Sequence, residues 1–330
     1  MARTLAIRLS SLGDVAMAIP VVYSVANRYP VDEFILLTKK PLLPLFINKP
    51  PNLEIFPIHT KGKYKGITGI WKLIRKLDKR GIDQIADLHQ VLRSIGIDWY
   101  FRLKGKKIAV IDKDKKDKKA LTRRKKKKVT PLKSSFERYQ RVFEELGYNA
   151  SLNFVSLFAT KDKREETRIG IAPFAKHQCK IYPFEKMEEV VRLLNENLST
   201  KIFLFGGKEE YRSLENLAKK YERVEAIAGH LTFFEELLIM NSLDIMLSMD
   251  SANMHLASLV NIPVVSIWGA THPYAGFYGY NQDLGNAIQL DMDCRPCSVF
   301  GNKSCWRGNF SCMRDITPEQ IVEKIMINLR

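Results

Sequence analysis

Residues 4–29 read TLAIRLSSLGDVAMAIPVVYSVANRY, and the rest of the chain repeats the pattern they set. Residues 4–9 are a short apolar run suited to a buried strand. Ser10, Ser11, Leu12, Gly13 and Asp14 form a polar turn, and Gly13 permits a tight bend there. Residues 15–29 read as a helix, with Pro20 expected to kink it. A strand passing through so short a turn into a helix is the opening of a βαβ unit.

Working outward, residues 33–37, 53–57, 82–88 and 108–111 read as strands. Residues 67–78, 91–103 and 136–146 read as helices; the first carries Ile67, Ile70, Trp71, Ile74 and Leu77 at helical spacing. Residues 161–167 are charged and aperiodic, which suits a linker. A second series follows, with strands at 169–172, 202–205, 224–227, 245–248 and 264–268 and helices between them. The last helix starts at Thr317, with Pro318 in its first position and Gln320 placed to close a capping box. Strands alternating with helices imply right-handed βαβ units and parallel sheets. The expected fold is therefore α/β, with two Rossmann-like, doubly wound domains facing a cleft. They span residues 1–160 and 161–316, and the helix at 317–330 packs back on the first.

A chain of 330 residues is long enough for two separate cores. It lacks the run of about 18 apolar residues that a membrane span needs, and no signal-peptide cleavage pattern is evident. A cytosolic protein is expected. The net charge of +17 is unevenly spread: between Lys104 and Lys128 stand 14 basic and 3 acidic residues, a local +11 that leaves only +6 elsewhere. Such a stretch should seek polyanions, namely nucleic acid, anionic lipid or a phosphorylated glycan. The alternative is a solvated loop with no partner. Aromatic residues hardly interrupt it, which argues against base stacking and hence against a nucleic-acid-binding protein.

Ligands of doubly wound sheets sit beyond the carboxyl ends of the strands. Four strand-to-helix junctions matter for that reason. At the first, Ser11 and Asp14 have capping-box spacing, so Asp14 is either a helix cap or a general base. At the second, Asp250-Ser251-Ala252-Asn253-Met254-His255, small residues leave backbone N–H groups open at a helix start, a natural phosphate site. Any βα junction capped by Asp and Ser looks similar. At the third, Gly206 and Gly207 let a nucleotide approach the backbone and Glu210 offers oxygens to ribose hydroxyls; a plain glycine turn is the alternative. At the fourth, Lys180 in Lys-Ile-Tyr-Pro is a point charge for a diphosphate or an ordinary surface lysine.

Taken together and in this order, Ser-Ser-Leu-Gly-Asp-Val at 10–15, Lys-x-Tyr-Pro at 180–183 and Asp-Ser-Ala-Asn-Met-His-Leu-Ala at 250–257 resemble glycosyltransferase family 9, whose best-known members are the lipopolysaccharide heptosyltransferases. The stretch from Asp87 to Ser94 resembles the family's aspartate–glutamine strand end. The resemblance implies a GT-B fold and an inverting, metal-independent heptosyl transfer from an ADP-sugar to the lipopolysaccharide core or a related lipid-linked glycan. It assigns Asp14 as catalytic base. Lys180, Glu210, Leu231, Asp250, Ser251, Ala252, Asn253 and His255 fall to the donor, ADP-heptose. Ser10, Ser11, Gly13 and Arg93 fall to the acceptor. Ala252 departs from the family, which often has glycine there. A nucleotide-sugar epimerase of the same architecture is the alternative. The basic stretch, on this reading, is a flexible tether holding the enzyme to the anionic inner face of the inner membrane.

Cys294, Cys297, Cys305 and Cys312 lie within 19 residues. Four thiolates so placed are able to bind a structural Zn²⁺; four reduced thiols packing an irregular loop is the other reading. Asp291 and Asp293, the one Asp-x-Asp pair considered for a divalent ion, stand beside these cysteines, so no catalytic metal is expected.

Overall fold

A computed structural model of the chain describes residues 1–160, 166–197 and 200–329. Residues 161–165, most of the expected linker, lie outside them. The chain runs β1 (Arg3–Ile7), α1 (Leu12–Arg28), β2 (Glu33–Lys39), β3 (Leu53–Ile58), α2 (Gly66–Asp78), β4 (Gln84–Asp87), α3 (Leu92–Leu103), β5 (Lys107–Val110), α4 (Lys115–Leu121) and α5 (Ser135–Leu146). It continues through β6 (Thr167–Ala172), α6 (Phe184–Asn197), β7 (Thr200–Leu204), α7 (Tyr211–Ala218), β8 (Val224–Ala226), α8 (Phe233–Asn241), β9 (Ile245–Met249), α9 (Ala252–Leu259), β10 (Val264–Ile267), β11 (Ala287–Ile288), α10 (Ser311–Arg314) and α11 (Pro318–Leu329).

Two compact units result. The first comprises Met1–Lys113 and Ser135–Leu157. Its sheet has the order β3-β2-β1-β4-β5, parallel throughout. Leu5, Ile7, Ile35, Leu37 and Ile85 from the strands meet Leu73, Leu77 and Ile97 from the helices in its core. Each such side chain contributes about 1.5–3 kcal/mol by leaving water. Helix α1 is buried along nearly its whole length, and Pro20 lies inside it without ending it.

The second unit comprises Asp114–Ser134 and Phe158–Arg330. Its parallel sheet has the order β11-β10-β9-β6-β7-β8. Ile169, Ile171, Leu204, Leu247 and Ile267 form its centre. In both sheets the winding reverses once: β1 and β4 are neighbours in the first, β6 and β9 in the second. These reversal points are where a doubly wound sheet opens a crevice for ligands.

Two segments depart from the expected division. The final helix α11 belongs to the second unit, not the first: it packs on α6 and β9, with Ile321 and Ile325 fully buried in that core. Its start carries the expected capping box, Thr317 and Gln320 exchanging backbone-to-side-chain hydrogen bonds of 3.0 and 3.3 Å. The basic stretch is divided as well. Residues 114–134 group with the second unit and are folded onto it: Leu121 is fully buried, the Lys118 ammonium lies over the Phe277 ring at 4.8 Å, and Lys127 donates to the carbonyls of Asp293 and Arg295. A flexible tether is therefore not what this segment forms, because Leu121, Lys118 and Lys127 anchor it. Among the described residues no helix is long and apolar enough to cross a membrane.

Candidate functional site

In the first unit the polar groups gather where β1 and β4 end. The Ser11 backbone N–H and hydroxyl both donate to one oxygen of Asp14, at 2.9 and 2.7 Å. The other oxygen meets the Arg8 guanidinium at 2.8 Å. Asp14 is thus both a cap and a fixed carboxylate, because the capping bonds use only one oxygen. Burial pushes the Asp14 carboxyl up, but the Arg8 charge and the Ser11 donors outweigh it and hold the group below the usual carboxylate range. Gly13 is buried in the same turn and Ser10 half-buried.

Arg8 is the residue that sequence reading missed. It lies just past the end of β1 with only 7% of its surface exposed, and it also donates to the Leu88 carbonyl at 2.6 Å and lies over the Tyr139 ring. A buried arginine is costly unless its donors are used; here the two terminal nitrogens tie the ends of β1 and β4 to Asp14, while Nε has no partner among the described residues. A charge set in an apolar run was the available signal. His89 was missed too. Its Nδ1 accepts from the Leu9 N–H at 3.3 Å, which leaves Nε2 as the protonated nitrogen of the neutral ring. Burial and the Arg8 charge pull its pKa down to about 3, so it stays neutral.

The turn from Asp87 to Gln90 is built by Asp87, whose Oδ1 accepts from the N–H groups of His89 and Gln90 at 2.8 and 2.9 Å. Gln90 takes a left-handed backbone, φ 49°, and Lys113 donates to its carbonyl. Beneath it, burial and then the neighbouring Asp87 push the Asp98 carboxyl up to about 8. Arg93, expected at the acceptor, donates one of its guanidinium N–H groups to the Tyr64 carbonyl before α2.

The pH dependence of Asp14 has a definite sign. A carboxyl with a depressed folded-state pKa is ionised, and its ion pair in force, throughout the range above about 4. Activity that needs this carboxylate should fall only below that range. Arg8→Met removes the compensation and leaves the burial, so the acid limb of kcat/KM should move toward neutrality. An unmoved limb in that variant, with the protein folded, refutes control of Asp14 by Arg8.

In the second unit the reversal point joins Lys180 and Asp250. The Lys180 ammonium reaches Asp250 Oδ2 at 2.7 Å and its carbonyl at 3.1 Å, with both side chains largely buried. Lys180 is therefore no ordinary surface lysine. Gly301 backs onto it: a Cβ there, at φ 73°, would come within 2.6 Å of the Lys180 stem. Ser251 caps α9 in an extended conformation, with Ala252 and Asn253 half-exposed in the first turn and His255 buried behind them. Ala252 opens the helix and is not among the residues of positive φ, so the glycine common in the family is not needed here.

One strand over, Glu210 accepts from the Gly207 N–H at 2.6 Å and holds the turn after β7. The turn has no room for a side chain at Gly206, where a Cβ would meet Leu214 at 2.7 Å and Glu210 at 2.9 Å. The loop before α8 comes to the same place: His230 packs edge-on against Tyr211 at 4.5 Å, followed by the half-buried Leu231. Seven of the eight expected donor residues thus lie in the loops and helix starts that follow β6, β7, β8 and β9, and His255 is buried within α9.

The cysteines are reduced. Cys179, not counted with the cluster from sequence, joins Cys294, Cys297, Cys305 and Cys312 around one cavity of about 20 Å³. Among the described residues no three of His, Cys, Asp or Glu come together as a metal-binding group.

Residues 70–304 match Glycosyltransferase family 9 (heptosyltransferase). The chain belongs to this family. It is similar to lipooligosaccharide heptosyltransferase 2 of Campylobacter jejuni, at 24% identity over 320 residues and 95% of both chains. It is also similar to the lipopolysaccharide core heptosyltransferase OpsX of Haemophilus influenzae, at 23% identity over 87% of this chain and 82% of that one. Among solved structures, that of the glycosyl transferase family 9 from Veillonella parvula superposes with a TM-score of 0.78 at 18% identity, over 99% of this chain and 97% of that one. The E. coli heptosyltransferase WaaC with ADP-2-deoxy-2-fluoro heptose gives 0.71 at 17% identity, over 99% of each. The fold is accordingly the α/β GT-B fold of glycosyltransferases. Family 9 membership favours transfer, and nothing in these comparisons supports the epimerase alternative.

Proposed function

We propose that this family 9 glycosyltransferase moves a heptose from ADP-heptose to the lipopolysaccharide core or a related lipid-linked glycan, inverting the anomeric carbon. The observation that carries this reading is the Lys180–Asp250 pair beside the open start of α9, at the reversal point of the second sheet. An ammonium has three donors. Two are committed to Asp250, which leaves the third for the donor diphosphate. The N–H groups at Ser251, Ala252 and Asn253 add the positive end of the helix dipole. Glu210 takes the ribose hydroxyls and Leu231 covers the adenine.

Asp14 supplies the base. The acceptor hydroxyl oxygen bonds to the anomeric carbon, the bond from that carbon to the diphosphate breaks with its electron pair leaving on ADP, and the hydroxyl proton passes to the carboxylate. The transition state has oxocarbenium character. Ser10, Ser11, Gly13 and Arg93 are assigned to the acceptor. Charge on the leaving diphosphate is met by Lys180 and α9, so no divalent ion is invoked. Transfer from ADP-heptose, followed by product analysis, should therefore survive EDTA; strict dependence on an added metal overturns this scheme.

The basic stretch brings the enzyme to an anionic membrane face on the cytoplasmic side, now as a folded surface. Lys115, Lys116, Lys119, Lys125, Lys126 and Lys128 are exposed. Each engaged cation contributes about 1 kcal/mol at such a surface, and screening confines the effect to about 10 Å. Vesicles rich in phosphatidylglycerol should bind the protein at low salt and release it at high salt. Vesicle binding indifferent to salt would refute an electrostatic attachment.

A further inference from the structure

The sequence singled out the basic stretch and the cysteine loop as separate features. The structure makes them two walls of one concavity of about 360 Å³ in the second unit. Arg123 and Arg124 come from the basic stretch, and Lys303, Trp306 and Arg307 from the cysteine loop. The volume falls within the range of small-molecule sites, about 300–1,000 Å³. Trp306 organises the cations: the Arg124 guanidinium lies over its ring at 5.0 Å and that of Arg307 at 5.2 Å. Stacking of this kind fixes the plane of each guanidinium while leaving its N–H edges available.

Both walls are held from behind. Lys127 ties the end of the basic stretch to the carbonyls of Asp293 and Arg295, at 3.0 and 2.9 Å. The Lys303 carbonyl accepts from the Cys179 thiol at 3.0 Å. Among the described residues, Arg123, Arg124, Lys303 and Arg307 form no ion pair with a carboxylate. Asp293 is the one acid on the lining, and its backbone already takes Lys127. These four exposed cations, set against the single carboxylate of Asp293, give the hollow a positive potential that attracts an anion.

We infer that this hollow binds a phosphorylated sugar, the phosphate taken by the Arg124 and Arg307 guanidiniums with Arg123 and Lys303 completing the charge. Guanidiniums suit a phosphate dianion because they pair with two oxygens at once. The volume exceeds what a bare anion fills, and Trp306, 47% exposed, offers the apolar edge on which a sugar ring rests. The cysteine loop also carries Gly301 against Lys180. One loop thus serves the donor diphosphate and this second anion. On the heptosyltransferase reading, on which the identity of the ligand rests, the phosphosugar is part of the acceptor glycan.

The test is calorimetry on the full chain with saturating ADP present, using glucose 6-phosphate, glucose and inorganic phosphate as probes. Glucose 6-phosphate should bind, and the double variant Arg124→Ala/Arg307→Ala should weaken it at least 10-fold. The pair Lys125→Ala/Lys126→Ala removes the same charge from neighbouring, equally exposed positions off the lining and should change it less than twofold. Equal losses in the two variants reduce the effect to general electrostatics and overturn the proposal. Binding of glucose 6-phosphate abolished by ADP places the anion in the donor site, with the same consequence. Inorganic phosphate binding as tightly as glucose 6-phosphate removes the sugar from the proposal. Retention on anionic vesicles lost in the arginine variant, with no glucose 6-phosphate binding, assigns the hollow to lipid headgroups and also overturns it. Heptosyl transfer from ADP-heptose is assayed separately: transfer without phosphosugar binding sinks the hollow alone, and binding that persists without transfer supports the hollow while sinking the transferase reading.

Discussion

Asp14→Asn is expected to lower turnover by about 10²–10⁴-fold while leaving ADP affinity unchanged, as measured by steady-state rates and calorimetry. The substitution is chosen for what it keeps. Asparagine still offers an oxygen to the Ser11 donors, so the start of α1 stays capped. What it removes is the charge opposite Arg8 and the capacity to take a proton. Breaking a buried ion pair from one side costs about 3–5 kcal/mol. Here Asp14 keeps 26% side-chain exposure and the amide oxygen still accepts, so the loss of stability should be smaller. Turnover near that of the parent, in a folded variant, would reduce Asp14 to a helix cap.

Lys180→Ala should weaken ADP much more than adenosine, because only the former carries the diphosphate. It also leaves the Asp250 carboxylate, 7% exposed, without its cation, so part of any loss reflects a destabilised site. The double variant Lys180→Ala/Asp250→Ala separates the two effects. If Lys180 serves only to neutralise Asp250, the double variant regains ADP affinity. If the ammonium meets the diphosphate, ADP stays weak while thermal stability recovers. Equal weakening of ADP and adenosine by Lys180→Ala alone would remove Lys180 from the donor site.

How much of this was legible depends on range. The strand-to-helix junctions at Asp14, Gly206–Glu210 and Asp250–His255 were readable because a turn and a cap are set by three or four adjacent residues. That each junction lies at one edge of a parallel sheet follows from alternation alone. Arg8 showed only as a charge set in an apolar run; its bond to the Leu88 carbonyl depends on β1 and β4 being neighbours. Asp98 reads as an ordinary polar position on a helix; only packing buries it against Asp87. The basic stretch misled for the opposite reason. Its composition describes solvent, yet Leu121 and Lys118 find cover on the second unit, and charge counting does not reveal such anchors. Likewise the amphipathic face of α11 shows that it packs, not on what.

Each reversal point is bridged by one buried cation: Arg8 joins the loop after β1 to the end of β4, and Lys180 joins the loop after β6 to that after β9. A crevice stitched in this way cannot fray one strand at a time. The amide protons of Leu88 and of Asp250, bonded to the carbonyls of Ile7 and Ile267, should therefore exchange with solvent only when the surrounding sheet opens as a whole. Slow, concerted exchange at these strand ends, before any ligand is added, means that the site is ordered in advance and that binding carries little further cost in lost freedom.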